Sequence, residues 1–132
     1  APDIFFLDTL GELAGLYHGA ALVFVGGTMK PHIGGHSVIE PGAAGVPVFF
    51  GPHTRNFRSI VSNLKQAEGG IQVNDAKSLA VAALPLLLDP ALRLDMGRKA
   101  RMTIERERGA AKRTIVAIER KYNTMLLHRL QV

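Results

Sequence analysis

The sequence contains no cysteine, which excludes a disulfide framework, a thiolate zinc site and a cysteine nucleophile. No uninterrupted apolar run reaches the length of a membrane span. The opening APDIFFLDTLGE carries acids where a signal peptide carries basic residues, so a soluble chain is expected. Neither the dinucleotide fingerprint G-x-G-x-x-G nor the P-loop G-x-x-x-x-G-K-[ST] is present, and Ser37 sits on no G-x-S-x-G elbow. Aromatics are scarce toward the end of the chain. Tyr122 stands alone in residues 89–132, too little for a platform on which nucleic-acid bases stack. No internal repeat and no linker are visible.

What is there suits one packed unit. With 132 residues, 47% of them hydrophobic and 20% charged, the chain makes one domain or a substantial piece of one, and wholesale disorder is excluded. The formal charge of +5 is unevenly placed: residues 1–88 hold five Lys/Arg against six Asp/Glu, and residues 89–132 hold eleven against five. Such a tail can meet nucleic acid, anionic lipid or an acidic ligand, and it equally makes a solvated helix face with no partner.

Four short apolar runs, at residues 4–7, 21–25, 46–50 and 71–73, are continuous rather than alternating, as strands buried on both faces are. Helical patterns separate them. Residues 9–19 put Leu10, Leu13, Ala14, Leu16 and Tyr17 on one face, with Asp8 or Thr9 as cap. Residues 37–44 end at Gly45 and Pro47, and residues 56–67 end before Gly69-Gly70. The order βαβαβαβ predicts an α/β fold with a Rossmann-like parallel sheet, right-handed crossovers and flanking helices. After Asn74 the strand patterns stop. Asp75 caps a helix over 76–88, in which Pro85 predicts a kink or an early end. Asp89-Pro90 starts another, running to about Arg108 and closed by Gly109. The last segment sets Ala111, Ile115, Ile118, Tyr122 and Met125 in a stripe that must pack on something. Opening on a strand and closing on a long amphipathic helix, the chain reads as a piece of a larger α/β protein.

The chemistry concentrates in one stretch, because seven of the fourteen glycines fall between Gly26 and Gly51. The loops after Val25 and Phe50 leave the carboxyl ends of predicted strands, where open parallel sheets bind ligands. Glycines there let backbone N–H groups approach an anion, and a following helix N-terminus adds positive potential, so a phosphate-bearing ligand is expected. His32, His36 and Glu40 recur every four residues as helical metal ligands do, but Pro31, Gly34 and Gly35 break that helix and no metal is expected. Ser37 to Glu40 matches a capping box, whereas Pro41 suits a helix starting at Glu40, and both registers stay open. Gly51 to Phe57, GPHTRNF, is either a plain turn with Asn56 as cap or a second set of polar groups facing the same ligand. His18 and His128 fall on helical segments as surface or packing residues.

Those residues carry a specific likeness. The run FVGGTMKPHIGGHSVIEPGAAGVPVFFGPHTRNF, with DTLGELAGLYHGAALVFVGG before it and DMGRKAR and Gly109-Ala110 after it, resembles the C-terminal domain of the 3-deoxy-D-manno-octulosonic acid (Kdo) transferases of lipopolysaccharide synthesis. The resemblance covers nearly the whole chain. It implies a GT-B glycosyltransferase of two Rossmann-like domains that moves Kdo from CMP-Kdo to a lipid A precursor at the cytoplasmic face of the bacterial inner membrane. Residues 1–132 would then be a single partial domain, the part that binds the donor nucleotide. On this likeness Gly26, Gly27 and Thr28 form the turn approaching the donor, and Gly34, Gly35 and His36 the phosphate-facing loop. Glu40 is the acid that holds the ribose hydroxyls, and His53, Asn56 and Phe57 form the second loop of the cleft. His36 or Arg55 would offset the charge of the departing phosphate. Ser37 departs from the family, which usually has asparagine there. The general base and the membrane-anchoring segment are implied to lie in the N-terminal domain, so this chain holds no catalytic residue, and the inverting transfer needs no metal or cofactor. Nucleic acid is not an expected partner, and exposed apolar faces predict self-association of the chain alone. The alternatives are a GT-B transferase of another nucleotide sugar and a non-enzymatic basic nucleic-acid-binding module.

Overall fold

The computed structural model describes residues 4–130, and their side chains apart from those of residues 110, 111, 124 and 126–130. In chain order the elements are α1 (Leu13–Leu16), β1 (Val23–Val25), α2 (Ile39–Ala43), β2 (Val48–Phe50), α3 (Arg58–Gln66), β3 (Gly70–Gln72), α4 (Ala76–Leu88) and α5 (Pro90–Leu130). Short 3-10 turns stand at Tyr17–Gly19, Gly26–Met29 and Arg55–Phe57. The three strands form one parallel sheet in the order β1-β2-β3, with Val25 opposite Phe50 and Phe50 opposite Gln72. This is the predicted α/β fold with flanking helices and a long C-terminal helix.

Strand β2 is buried throughout because it is central and covered on both faces. Its side chains alternate, as strand geometry requires. Val48 and Phe50 join Val25, Val38, Ile60, Val61 and Leu64 on one face, while Phe49 joins Val73, Ala83 and Leu86 on the other. The first half of α5 serves both cores, giving Met96 to the second and Ala100 and Ile104 to the first. It comes close because small residues meet it. A Cβ on Gly97 would lie 2.0 Å from the Gly45 carbonyl oxygen, and one on Gly69 would lie 2.6 Å from the Ala100 Cα. Gly69 is delivered there by a left-handed Glu68 (φ 56°), after which the Gly69 N–H closes onto the Leu64 carbonyl at 2.8 Å. Lys99 of α5 reaches back to Glu68 at 2.7 Å.

The caps of the last two helices form as expected. The Ser78 N–H donates to Asp75 Oδ1 at 2.7 Å while Ser78 Oγ accepts from the Asp75 N–H at 3.0 Å. Asp89 Oδ1 accepts from the N–H groups of Ala91 and Leu92, at 2.9 and 3.1 Å. Pro85 does not end α4, which continues to Leu88 with the Pro85 carbonyl accepting from the Asp89 N–H at 2.9 Å.

Three expectations fail. Residues 4–7 are no strand: Ile4, Phe5 and Phe6 are 86, 74 and 84% exposed. They join neither β1 nor β3, the two outer strands of the sheet. The helix expected over 9–19 shrinks to α1 and the turn after it, and Thr9 donates to Glu12 rather than capping. Without a sheet strand before it, its apolar face has nothing to cover, and Leu10, Leu13 and Leu16 stay exposed. Gly109 does not stop α5, which runs 41 residues through it. A glycine inside a helix costs only about 1 kcal/mol, and no proline follows to enforce an end. The exposed apolar face expected at the C-terminal stripe is present: Ile115, Ile118, Tyr122 and Met125 are each more than half exposed. The side chains of Ala111 and His128 lie outside the described residues.

The close approach gives a direct test. Gly97→Ala should destabilise the protein by more than about 3 kcal/mol in urea unfolding, since backbone must move to admit the methyl group. Gly109→Ala, whose methyl would meet no more than the end of the Arg113 side chain at 3.3 Å, should instead raise helicity in circular dichroism. Equal effects at the two sites would contradict this packing.

Candidate functional site

Two loops leave the carboxyl ends of neighbouring strands and interlock. The first follows β1 from Gly26 to Val38, and the second follows β2 from Gly51 to Thr54, leading into the turn Arg55–Phe57. Thr28 is fully buried between them. Its hydroxyl donates to the Val25 carbonyl at the end of β1 and accepts from the Gly51 N–H, at 2.6 Å, at the end of β2. Its own carbonyl accepts from the His53 N–H at 2.9 Å.

Gly27, Gly34 and Gly35 sit where a side chain has little room, whereas a Cβ on Gly26 would meet nothing nearer than 4.0 Å. Gly34 and Gly35 have φ of 75° and 94°, a left-handed pair that few other residues adopt. A Cβ on Gly34 would lie 2.9 Å from the Asn56 amide, and one on Gly35 would lie 3.0 Å from the His53 carbonyl oxygen. The Asn56 N–H in turn donates to the Gly34 carbonyl at 3.0 Å. A Cβ on Gly27 would lie 2.8 Å from the His36 ring, which therefore lies over that backbone.

The structure thus brings Gly27 to His36, Gly34 to Asn56, and Gly35 to Thr28 and His53. Gly26, Glu40 and Arg55 are exposed on the same loops and the first turn of α2, outside those contacts. Phe57 is half-buried, packs against the core and lines a surface pocket with Ile39 and Asn56. Ser37 and Glu40 form no capping box: α2 begins at Ile39, and Ser37 Oγ accepts from the Ile39 N–H at 3.3 Å. Pro41 falls at the third helical position, where its missing N–H would have had no helical partner anyway. With five residues, α2 has little dipole, so any pull on an anion falls to the loop backbone and the nearby basic groups. His32 and His36 lie on a loop, share no helical face with Glu40, and no cluster of three or more metal-ligating side chains occurs among the described residues.

Sequence reasoning missed two participants. Gly51 must lack a side chain because a Cβ there would lie 2.5 Å from the Thr28 carbonyl oxygen, and its position at the end of a buried strand was the signal. Tyr17 was assigned to an apolar face, yet burial, and then the charge of Glu40, push its phenol above the ordinary 10.0. A cavity of about 680 Å³ lies elsewhere, beside β3, lined by Ile71, Pro85, Leu92, Met96 and Lys99 among others. Lys99 there is paired with Glu68 and Asp95, so this cavity offers a phosphate little net attraction.

No protein-family model matches the chain. It is similar to the 3-deoxy-D-manno-octulosonic acid transferase of Bordetella pertussis, 38% identical over 117 residues that make up 89% of this chain and 27% of the relative. The transferase of the same description from Chlamydophila psittaci is 35% identical over 119 residues, again 89% and 27%. In structure the chain is similar to the C-terminal CMP-Kdo binding domain of WaaA from Acinetobacter baumannii, with a TM-score of 0.68 and 28% identity over 74% of this chain and 51% of that one. The chain spans about a quarter of the length of the curated relatives it matches. The likeness to the Kdo transferases read from the motifs is therefore borne out in both sequence and fold.

The influence of Glu40 on Tyr17 can be titrated. In a Tyr122→Phe background, phenolate absorbance should report Tyr17 ionising above 10.0, and Glu40→Gln should bring it part of the way down. Because the folded-state value is raised, the associated stability is fully present below the unfolded value and is lost as pH rises through the folded one. A titration unmoved by Glu40→Gln would separate the two groups.

Proposed function

We propose that the chain is the donor-nucleotide-binding part of a GT-B Kdo transferase, and that its interlocked loops hold CMP-Kdo. The observation that carries this reading is the pair of glycine-lined loops joined at the carboxyl ends of β1 and β2, in a fold similar to a CMP-Kdo binding domain. On this reading the backbone at Gly26, Gly27, Gly34 and Gly35 approaches the phosphate, and His36 and Arg55 supply positive potential. Asn56, His53 and Ser37 line the same mouth, and Glu40 accepts from the ribose hydroxyls. Residues 1–132 form one partial domain. The rest of the enzyme supplies the acceptor site, the general base and the contact with the inner membrane, with a lipid A precursor as acceptor. The acceptor hydroxyl attacks the anomeric carbon of Kdo, its proton goes to that base, and the bond to the phosphate breaks with its electron pair leaving on CMP. The transfer inverts the anomeric centre without a metal. This chain's part is to offset the charge growing on the departing phosphate.

The basic tail does not favour the nucleic-acid reading. Arg98 and Lys99 pair with Asp95, and Arg101 with Glu105, so part of its charge is already met within α5.

Backbone NMR of the chain with added CMP should move residues 26–28 and 34–40 first, with UMP and UDP binding more weakly. Glu40→Gln should weaken CMP by about 5- to 30-fold, the effect of replacing a charge-assisted acceptor, while leaving the melting temperature nearly unchanged. The chain alone should transfer no sugar. CMP shifts confined to α5, or a Glu40→Gln variant that melts early yet binds normally, would overturn the donor assignment.

A further inference from the structure

We infer that Thr28 is a positioning residue: its hydroxyl clips the two loops into one unit and touches no ligand. The inference rests on the donor reading above only for what the loops hold. The hydroxyl donates its single proton to the Val25 carbonyl and accepts from the Gly51 N–H at 2.6 Å, so it has no proton left to offer a ligand. The side chain is 0% exposed, so a bound nucleotide cannot reach it without breaking the clip. The two partners are the last residue of β1 and the first residue after β2, so one side chain ties together the points where both loops depart. The Thr28 carbonyl adds a second tie through His53, and its methyl sits 3.5 Å from where a Cβ on Gly35 would be. Gly34, one residue earlier, is bonded to Asn56 of the second loop. The chain of contacts therefore runs from the sheet through Thr28 to the left-handed glycines. Loops held in advance lose less entropy when a ligand binds, so loosening the clip lowers affinity even though Thr28 makes no contact.

Two substitutions separate the hydroxyl from the packing. Thr28→Val keeps shape and methyl and removes the bonds, whereas Thr28→Ser keeps the bonds and loses the methyl. If the hydroxyl is the clip, hydrogen exchange at the Gly51 amide in the ligand-free chain accelerates about tenfold or more in Thr28→Val, which leaves a buried N–H without its acceptor, and stays near wild type in Thr28→Ser. The amide shifts of Gly34, Gly35 and His53 follow the same order. With CMP as probe, affinity falls about fivefold or more in Thr28→Val and is kept in Thr28→Ser. The reverse order, Thr28→Ser worse than Thr28→Val, would mean the residue acts by packing and would overturn the proposal. If Thr28→Val fails to fold, the wild-type chain decides: a Gly51 amide that exchanges as fast as exposed loop amides overturns the clip, and a protected one supports it. Should the wild-type chain bind no CMP, the donor reading fails while the exchange measurements still decide the clip.

Discussion

The backbone of α5 passes so near the turns at Gly45 and Gly69 that neither Gly97 nor Gly69 has space for a side chain, and the sheet depends on that contact. Each strand is three residues long, too short to be stable as an isolated ribbon. Burial of β2 on both faces compensates, and α5 contributes to each: Met96 behind Phe49, Ala100 and Ile104 behind Val48 and Phe50. Removing that helix would expose both cores together. Its first half is therefore part of the domain's interior, while its second half, with Ile115, Ile118 and Tyr122 exposed, has no such duty among the described residues.

The same packing sets up the loops. Val25 and Phe50 are held in register on adjacent strands, which fixes the distance between the Val25 carbonyl and the Gly51 N–H. Thr28 fits that gap. Once the two ends are joined, the left-handed pair Gly34-Gly35 can lie against His53 and Asn56 with backbone in contact. The site is built from close approach more than from charged side chains, which is why it is rich in glycine and why its ionisable groups, His36, Glu40 and Arg55, sit at its exposed margin.

Charge is distributed accordingly. The excess of basic residues belongs to α5, where Asp95, Glu105 and Glu68 neutralise several of them at helical spacing or across to the end of α3. Pairs of this kind on a surface contribute little to stability, about 0 to 1 kcal/mol each. They meet Arg98, Lys99 and Arg101 locally, whereas residues 110–132 hold five Lys/Arg against one Glu.

Much of this was legible in the sequence because it follows from local chemistry. The runs around Val25, Val48 and Ile71 are strands, Asp75 and Asp89 cap helices, and the glycines of residues 26–51 mark a tight loop, each a matter of nearby residues and backbone preference. The likeness to Kdo transferases was carried by the same stretch. What the sequence could not fix was anything needing a partner distant along the chain. Residues 4–7 have the composition of a strand yet join no strand, and Gly109 has the look of a stop with no competing structure to make it one. Ser37 and Glu40 match a capping box, yet α2 starts between them. Thr28 shows the difference most plainly. The family likeness puts Thr28 with Gly26 and Gly27 in the turn approaching the donor, and nothing local marks its hydroxyl as a tie. Its role arises only when parallel pairing brings Gly51, 23 positions later, within hydrogen-bonding distance of its hydroxyl, a closeness that no local propensity encodes.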